Sequence, residues 1–177
     1  MTLNARPMPR ILAEFVSDDA SMAVEFALVA PILIVFVMLT ISFGMAYNIQ
    51  LRLETAAGAA IAYAQKNAVT HASFGTFATG VTKVAQAAAN FDSALTVEVD
   101  VNNTSDGSAA DTPYCVDGTP PVWRAMSDAS ASCGNNVTAG QFVTVKLSTT
   151  ANSFLPTAGV VGSVIPLSET ITARMPQ

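Results

Sequence analysis

Residues 26–51, FALVAPILIVFVMLTISFGMAYNIQL, contain no charged side chain. At about 1.5 Å per residue, a helix over this interval exceeds the roughly 30 Å hydrocarbon core of a bilayer. Phe26, Leu28, Val29, Ile32, Leu33, Ile34, Val35, Phe36, Val37, Leu39, Ile41 and Phe43 each favour insertion by about 0.3 to 0.6 kcal/mol, about 4 to 7 kcal/mol together. A carboxylate at mid-span costs roughly 2.5 to 3.5 kcal/mol, and Glu25 stands at the end, where the cost is smaller. The segment is therefore expected to span despite its acid. A cleaved signal peptide has an apolar region of only about 7 to 15 residues, which this run exceeds.

Such a helix divides a chain of 177 residues into a short N-terminal part and one modest domain. The formal charge of −5 and the lack of any Lys/Arg cluster disfavour nucleic acid as a partner. Arg6 and Arg10 precede the span, which points to a cytoplasmic N-terminus by the positive-inside bias; Arg52 opposes it weakly. Pro7 and Pro9 make the first residues a poor helix, and residues 11–16 are too short to be a second span. Residues 1–20 read as a leader.

Directly after them comes ASMAVEF, which resembles a type IV prepilin processing site. In that class a small residue, usually glycine, precedes the cut, and a glutamate stands five residues after it at the head of a hydrophobic helix. Here the cut would fall between Ala20 and Ser21, with Glu25 as the glutamate and Ala20 in place of glycine. The string EFALVAPILIVFVMLTISFGMAY is similar to the opening of the TadE-like family, pseudopilins of tight-adherence pilus systems. Glu25, Phe26, Ala27, Leu28, Pro31, Phe43, Gly44 and Tyr47 match; Ser42 and Met45 depart from an acid and an arginine common there. GQFVTVKLSTTANSFLP and IPLSETITARMP resemble the family's closing strands.

The resemblance implies subunit addition as mechanism, with Glu25 positioning its helix against a neighbour's cleaved N-terminus. Prepilin peptidase, other pilins and pseudopilins, the inner-membrane assembly machinery and membrane lipid are the implied partners. It implies a bacterial inner-membrane, single-pass protein with a periplasmic C-terminal domain; an enzyme is the third choice, since nothing in the residue inventory supports one. Physical reasoning supplies two readings of Glu25. It pairs with the α-amine freed at Ser21, in the same or a neighbouring subunit, or it lies solvated at the headgroups. Pro31 frees the Ala27 carbonyl, so a local kink is expected, although membrane helices tolerate proline. Gly44 with Ala46 offers a small surface for helix approach.

Beyond the span, Leu53, Ala57, Ala60, Ile61 and Ala64 keep a three-to-four rhythm, extending the helix to Lys66 as a rod of about 69 Å. A second helix fits residues 76–90, with Phe77, Val81, Val84, Ala85 and Ala88 on one side. The period then becomes alternating. Leu95, Val97, Val99 and Val101 mark one strand, residues 141–148 a second, and residues 165–175 a third, in which Glu169 interrupts the apolar face as an edge residue would. The expected fold is α+β and pilin-like: a long transmembrane helix continuing outward (residues 21–66), a second helix, and a small antiparallel sheet within an extracytoplasmic domain (residues 67–177).

Between the first two strands lies a loop, residues 103–139, containing Pro120, Pro121 and Trp123. Its Cys115 and Cys133 are expected to pair on an oxidising side and remain free thiols otherwise. Trp123 either anchors the loop to the sheet or faces a partner. His71 has no second ligand at metal spacing, and no CxxC, GxGxxG, P-loop, GxSxG or complete EF-hand occurs. No cofactor, metal or small-molecule substrate is expected. Asn102, Asn103 and Asn136 fit N-x-[ST], a pattern without its eukaryotic meaning beside a bacterial processing site. The alternative to a pseudopilin is an uncleaved, single-pass tether whose outer domain binds a partner.

Overall fold

The computed structural model describes residues 10–91, 95–134, 137–152 and 164–176, with backbone only for residues 10–21 and 152. Residues 1–9 of the expected leader, Asn136, and residues 153–163 of the closing stretch lie outside the described residues. Helix α1 runs from Arg10–Lys66, 57 residues that pass through Pro31 without interruption. Helix α2, Phe74–Ala89, follows; the Asn90 N–H donates to the Gln86 carbonyl, and its left-handed φ of 46° turns the chain out of the helix.

Five strands complete the chain: β1 Thr96–Val101, β2 Tyr114–Asp117, β3 Val122–Ala125, β4 Phe142–Asn152 and β5 Val164–Arg174. The main sheet has the order β1-β4-β5, antiparallel throughout, and β2-β3 form a separate hairpin. Both helices lie against one face of the main sheet. That face presents Val99 and Val101, then Val143, Val145 and Leu147, then Ile171 and Ala173, as the alternation along each strand requires. On α1 the apolar contribution is a narrow stripe of small side chains: Leu53, Ala56, Ala57, Ala60 and Ala64, all fully buried. Phe77, Val81, Ala85 and Ala89 of α2 close over them. Alanine on α1 and Gly80 on α2 let the helices approach closely; a Cβ at Gly80 would collide with the Tyr63 ring.

The turn after β1 is built on asparagine. Asn102 and Asn103 both have positive φ, 49° and 65°. The Asn102 side chain, 2% exposed, donates to the carbonyls of Ala109 and Thr112 at 2.8 Å and accepts from the Phe142 N–H at 2.8 Å. Every polar site it buries is thereby matched, which fixes residues 102–112 against the start of β4.

Candidate membrane and assembly surface

Helix α1 has two unlike halves. From Met22 to Phe43 most of its large apolar side chains stand open to the surroundings: Phe26 is 70% exposed, Leu28 71%, Ile32 71% and Phe36 67%, while Met38 and Leu39 are half-buried. Among the described residues one helix, containing Met22–Lys66, is long and apolar enough to cross a membrane. Bare apolar surface on this scale belongs in lipid or against other apolar helices. Within it the polar group of Thr40 is already matched, its hydroxyl donating to the Phe36 carbonyl at 2.9 Å.

The residues expected to matter for processing and assembly lie along this half. Glu25 is exposed at its head, next to Phe26, and Pro31 is exposed on the helix surface. The backbone of Ala20 and Ser21 is helical. Gly44 has nothing within 4 Å of the position its Cβ would take. Ser42 and Ala46, by contrast, are 2% and 7% exposed. They continue the stripe of Leu53 and Ala57 toward the membrane, so the domain covers α1 well inside its uncharged interval.

Two hydrogen bonds tie α1 to the edge strand β5. Gln50 Nε2 donates to Glu169 Oε2 at 3.0 Å, and Gln65 Nε2 to the Arg174 carbonyl at 3.5 Å. Glu169 thus does interrupt the apolar face of an edge strand, and Gln50 satisfies it there. These ties also fix direction. β5 runs alongside α1 with Arg174 far from the membrane segment and Val164 toward it.

The opposite end carries the disulfide loop. Cys115 and Cys133 are bonded, with Cα atoms 5.3 Å apart. Within the loop the β2-β3 hairpin turns through Gly118 and a cis Thr119–Pro120 bond, and Arg124 pairs with Asp117 across it. Sequence reasoning treated this stretch as loop and missed the hairpin. Its signal was DGTPP between two short runs, YCVD and VWRA. Trp123 packs edge-on against Phe142 of β4 and Tyr114, at centroid distances of 5.8 and 6.4 Å, so it anchors the hairpin to the sheet.

On the sheet's outer face Lys146 Nζ lies 2.7 Å from Asp100 Oδ2 and 3.2 Å from Glu98 Oε1. Hydrogen bonding to Asp100 first, and to Glu98 second, raises the Lys146 amine above its ordinary value. Asp100 is 5% exposed, and its Oδ1 has no partner among the described residues, so Lys146 is the group that compensates its burial. His71 accepts no role beyond its turn: its N–H donates to the Asp111 carboxylate, and its ring Nδ1 lies 3.1 Å from the Gly107 carbonyl. No group of three or more His, Cys, Asp or Glu side chains among the described residues could hold a metal ion. A cavity of about 270 Å³ lies beside the disulfide, lined by Val116, Cys133 and Phe142.

The family model for TadE-like protein matches residues 20–62. That interval begins at the Ala20–Ser21 bond and ends inside the alanine stripe, spanning both the bare half of α1 and the start of its packed half. No curated protein and no solved structure matches the chain.

Proposed function

We propose that this chain, TadE-like over residues 20–62, is a minor pseudopilin that takes part in assembling a tight-adherence pilus. Pilus association follows from the family; the subunit role is our reading. The observation that carries it is the division of α1, whose outer part is locked into the domain through Leu53, Ala57, Ala60 and Ala64 while its inner part is uncovered. Such a helix is held in lipid before assembly and can exchange lipid for neighbouring helices afterwards, since both solvate apolar side chains equally well.

In this reading the bond between Ala20 and Ser21 is cut by a prepilin peptidase on the cytoplasmic side, and the domain is periplasmic. The new α-amine lies one helical turn from Glu25, within reach of its own or a neighbouring carboxylate. A buried carboxylate without a cation costs several kcal/mol on the order expected for ions in low dielectric. The pairing therefore favours axial positions in which each Glu25 meets an amine. Pro31 loosens the helix between that pair and the domain. The oxidised Cys115–Cys133 pair suits an extracytoplasmic domain.

Mass spectrometry of the mature amino terminus, in cells with and without the peptidase, tests this directly. A peptidase-dependent start at Ser21 is expected. An intact leader in both strains would refute processing and leave the uncleaved tether.

A further inference from the structure

We propose that Glu169 and Gln50 form a binding site for the headgroup amine of a lipid of the phosphatidylethanolamine class, in the leaflet on the domain's side. The proposal rests on reading α1 as a membrane span, which the pseudopilin and the tether share, so it does not depend on cleavage at Ala20–Ser21. It begins from a carboxylate that lacks a cation. Glu169 is half-buried on the apolar face of β5, opposite Leu147, which has no exposed surface, and between the partly buried Leu167 and Ile171. Its Oε2 accepts a hydrogen bond from the neutral Gln50 amide at 3.0 Å, and its Oε1 accepts none among the described residues. A carboxylate held on an apolar face is stabilised by a cation beside it.

The chain supplies no such cation. Among the described residues Glu169 is in no ion pair, and Lys146, across the sheet, belongs to the opposite face with Asp100 and Glu98. Arg52 is two residues from Gln50 on α1, about 200° around the helix, where it donates to the Asn90 carbonyl at 3.4 Å. Residues 92–94, 135–136 and 153–163 contain no Lys, Arg or His, and Arg6 and Arg10 precede the span. A cation for Glu169 therefore comes from outside the chain.

The level of the pair favours lipid as its source. A hydrocarbon core of about 30 Å takes some 20 residues of helix, which counted outward from Glu25 end near Met45. Tyr47, 66% exposed, follows directly, where aromatic side chains gather at an interface. Gln50 is about 7.5 Å beyond Met45 by helix rise, and a headgroup layer is about 5 to 7.5 Å deep on each side. The pair thus stands at the outer limit of that layer, the level of a headgroup amine. Phe43, Tyr47 and Gln50 recur at spacings of four and three, so they share one side of α1. An acyl chain lying along the exposed Phe43 and Tyr47 brings its headgroup to Gln50 and Glu169. The amine then donates N–H to the Glu169 carboxylate as a charge-assisted hydrogen bond, which a trimethylated headgroup cannot do. A cation on a neighbouring subunit has the same chemistry, but the lipid amine is present at this level whatever the state of assembly.

Native mass spectrometry of the full chain tests the site, after release from detergent micelles holding equal phosphatidylethanolamine and phosphatidylcholine. The wild type is expected to retain the ethanolamine lipid over the choline lipid by about threefold or more, as one charge-assisted hydrogen bond allows. Glu169→Gln, which keeps an acceptor for Gln50, is expected to retain the two equally at an unchanged melting temperature. Equal retention by the wild type, or a preference that survives in Glu169→Gln, overturns the site. Should Glu169→Gln melt lower, the wild type is read against the monomethyl lipid as well: retention falling with each added methyl group supports the site, and level retention overturns it. Recovery of the wild type as a dimer that Glu169→Gln splits, with no lipid preference, gives the carboxylate to a neighbouring subunit's cation and overturns the lipid site. Failure of the wild type to float with vesicles overturns the span, and the inference with it. A start at Ser21 is read separately and survives the loss of the lipid site.

Discussion

The two halves of α1 follow the same helical rules to opposite ends. In the half that packs, the side chains facing the domain are nearly all alanine, and Leu53, Ala57, Ala60 and Ala64 have no exposed surface. In the half that stands bare, most side chains are large, apolar and exposed. A small-residue stripe brings one fixed neighbour close. A bare apolar surface accepts any apolar neighbour, lipid or helix, without selecting one. The difference shows which part of the helix encodes the domain's fold and which part is left for an environment the chain does not itself supply.

The sharpest way to break this comparison is to make the same deletion in each half. Leu53→Ala removes a fully buried side chain from the core and is expected to lower domain stability by about 2 to 5 kcal/mol. Leu33→Ala, 53% exposed in the bare half, is expected to leave the domain's denaturation midpoint unchanged. Thermal and chaotrope melting in one detergent measures both. Equal losses would mean that the bare half folds onto the domain after all.

Next in size is the staple at the far end. Opening Cys115–Cys133, 18 residues apart, is expected to cost about 3 kcal/mol by loop entropy, read as the shift in chaotrope midpoint on adding reductant. Membrane insertion of the bare half should not change. This region also marks the limit of what the sequence made legible. The long helix, the second helix and the three strands of the main sheet were visible because each repeats its period over many residues. β2 and β3 have four residues each, too few to establish alternation, and their pairing depends on the disulfide and on Trp123 meeting Phe142. Likewise the strand expected over residues 141–148 runs on to Asn152, because nothing local records that β5 extends to pair with residues 149–152. Glu25, Pro31 and Gly44 were legible as a pattern, and the fold shows them only as exposed positions on the bare half of α1.

Lys146 provides a smaller, pH-dependent comparison between the sheet's outer face and its apolar inner one. Lys146→Met leaves the buried Asp100 carboxylate without its cation, an expected loss of about 1 to 2 kcal/mol. Because the folded amine is raised above 10.5 by Asp100 and then Glu98, its contribution is fully present below that value and is lost as pH rises through the folded one. The wild type should therefore lose stability at strongly alkaline pH faster than Lys146→Met. Parallel alkaline slopes would show that the contact has no energetic weight.

Gly58 carries the smallest effect and the finest test of what the outer surface of α1 is for. It lies in the packed half but on the exposed side, and a Cβ there would meet nothing within 4 Å. In an isolated chain Gly58→Ala should stabilise α1 by up to about 1 kcal/mol, since alanine has less backbone entropy to lose in a helix than glycine. Nothing in the domain rewards glycine at that position. If subunits pack through this side, the added methyl group holds neighbouring helices apart, and filament recovery should fall even as the melting temperature rises. A gain in both stability and filament yield would show instead that the exposed side of the packed half faces solvent in the assembled pilus. Helix contacts between subunits would then be confined to the bare half.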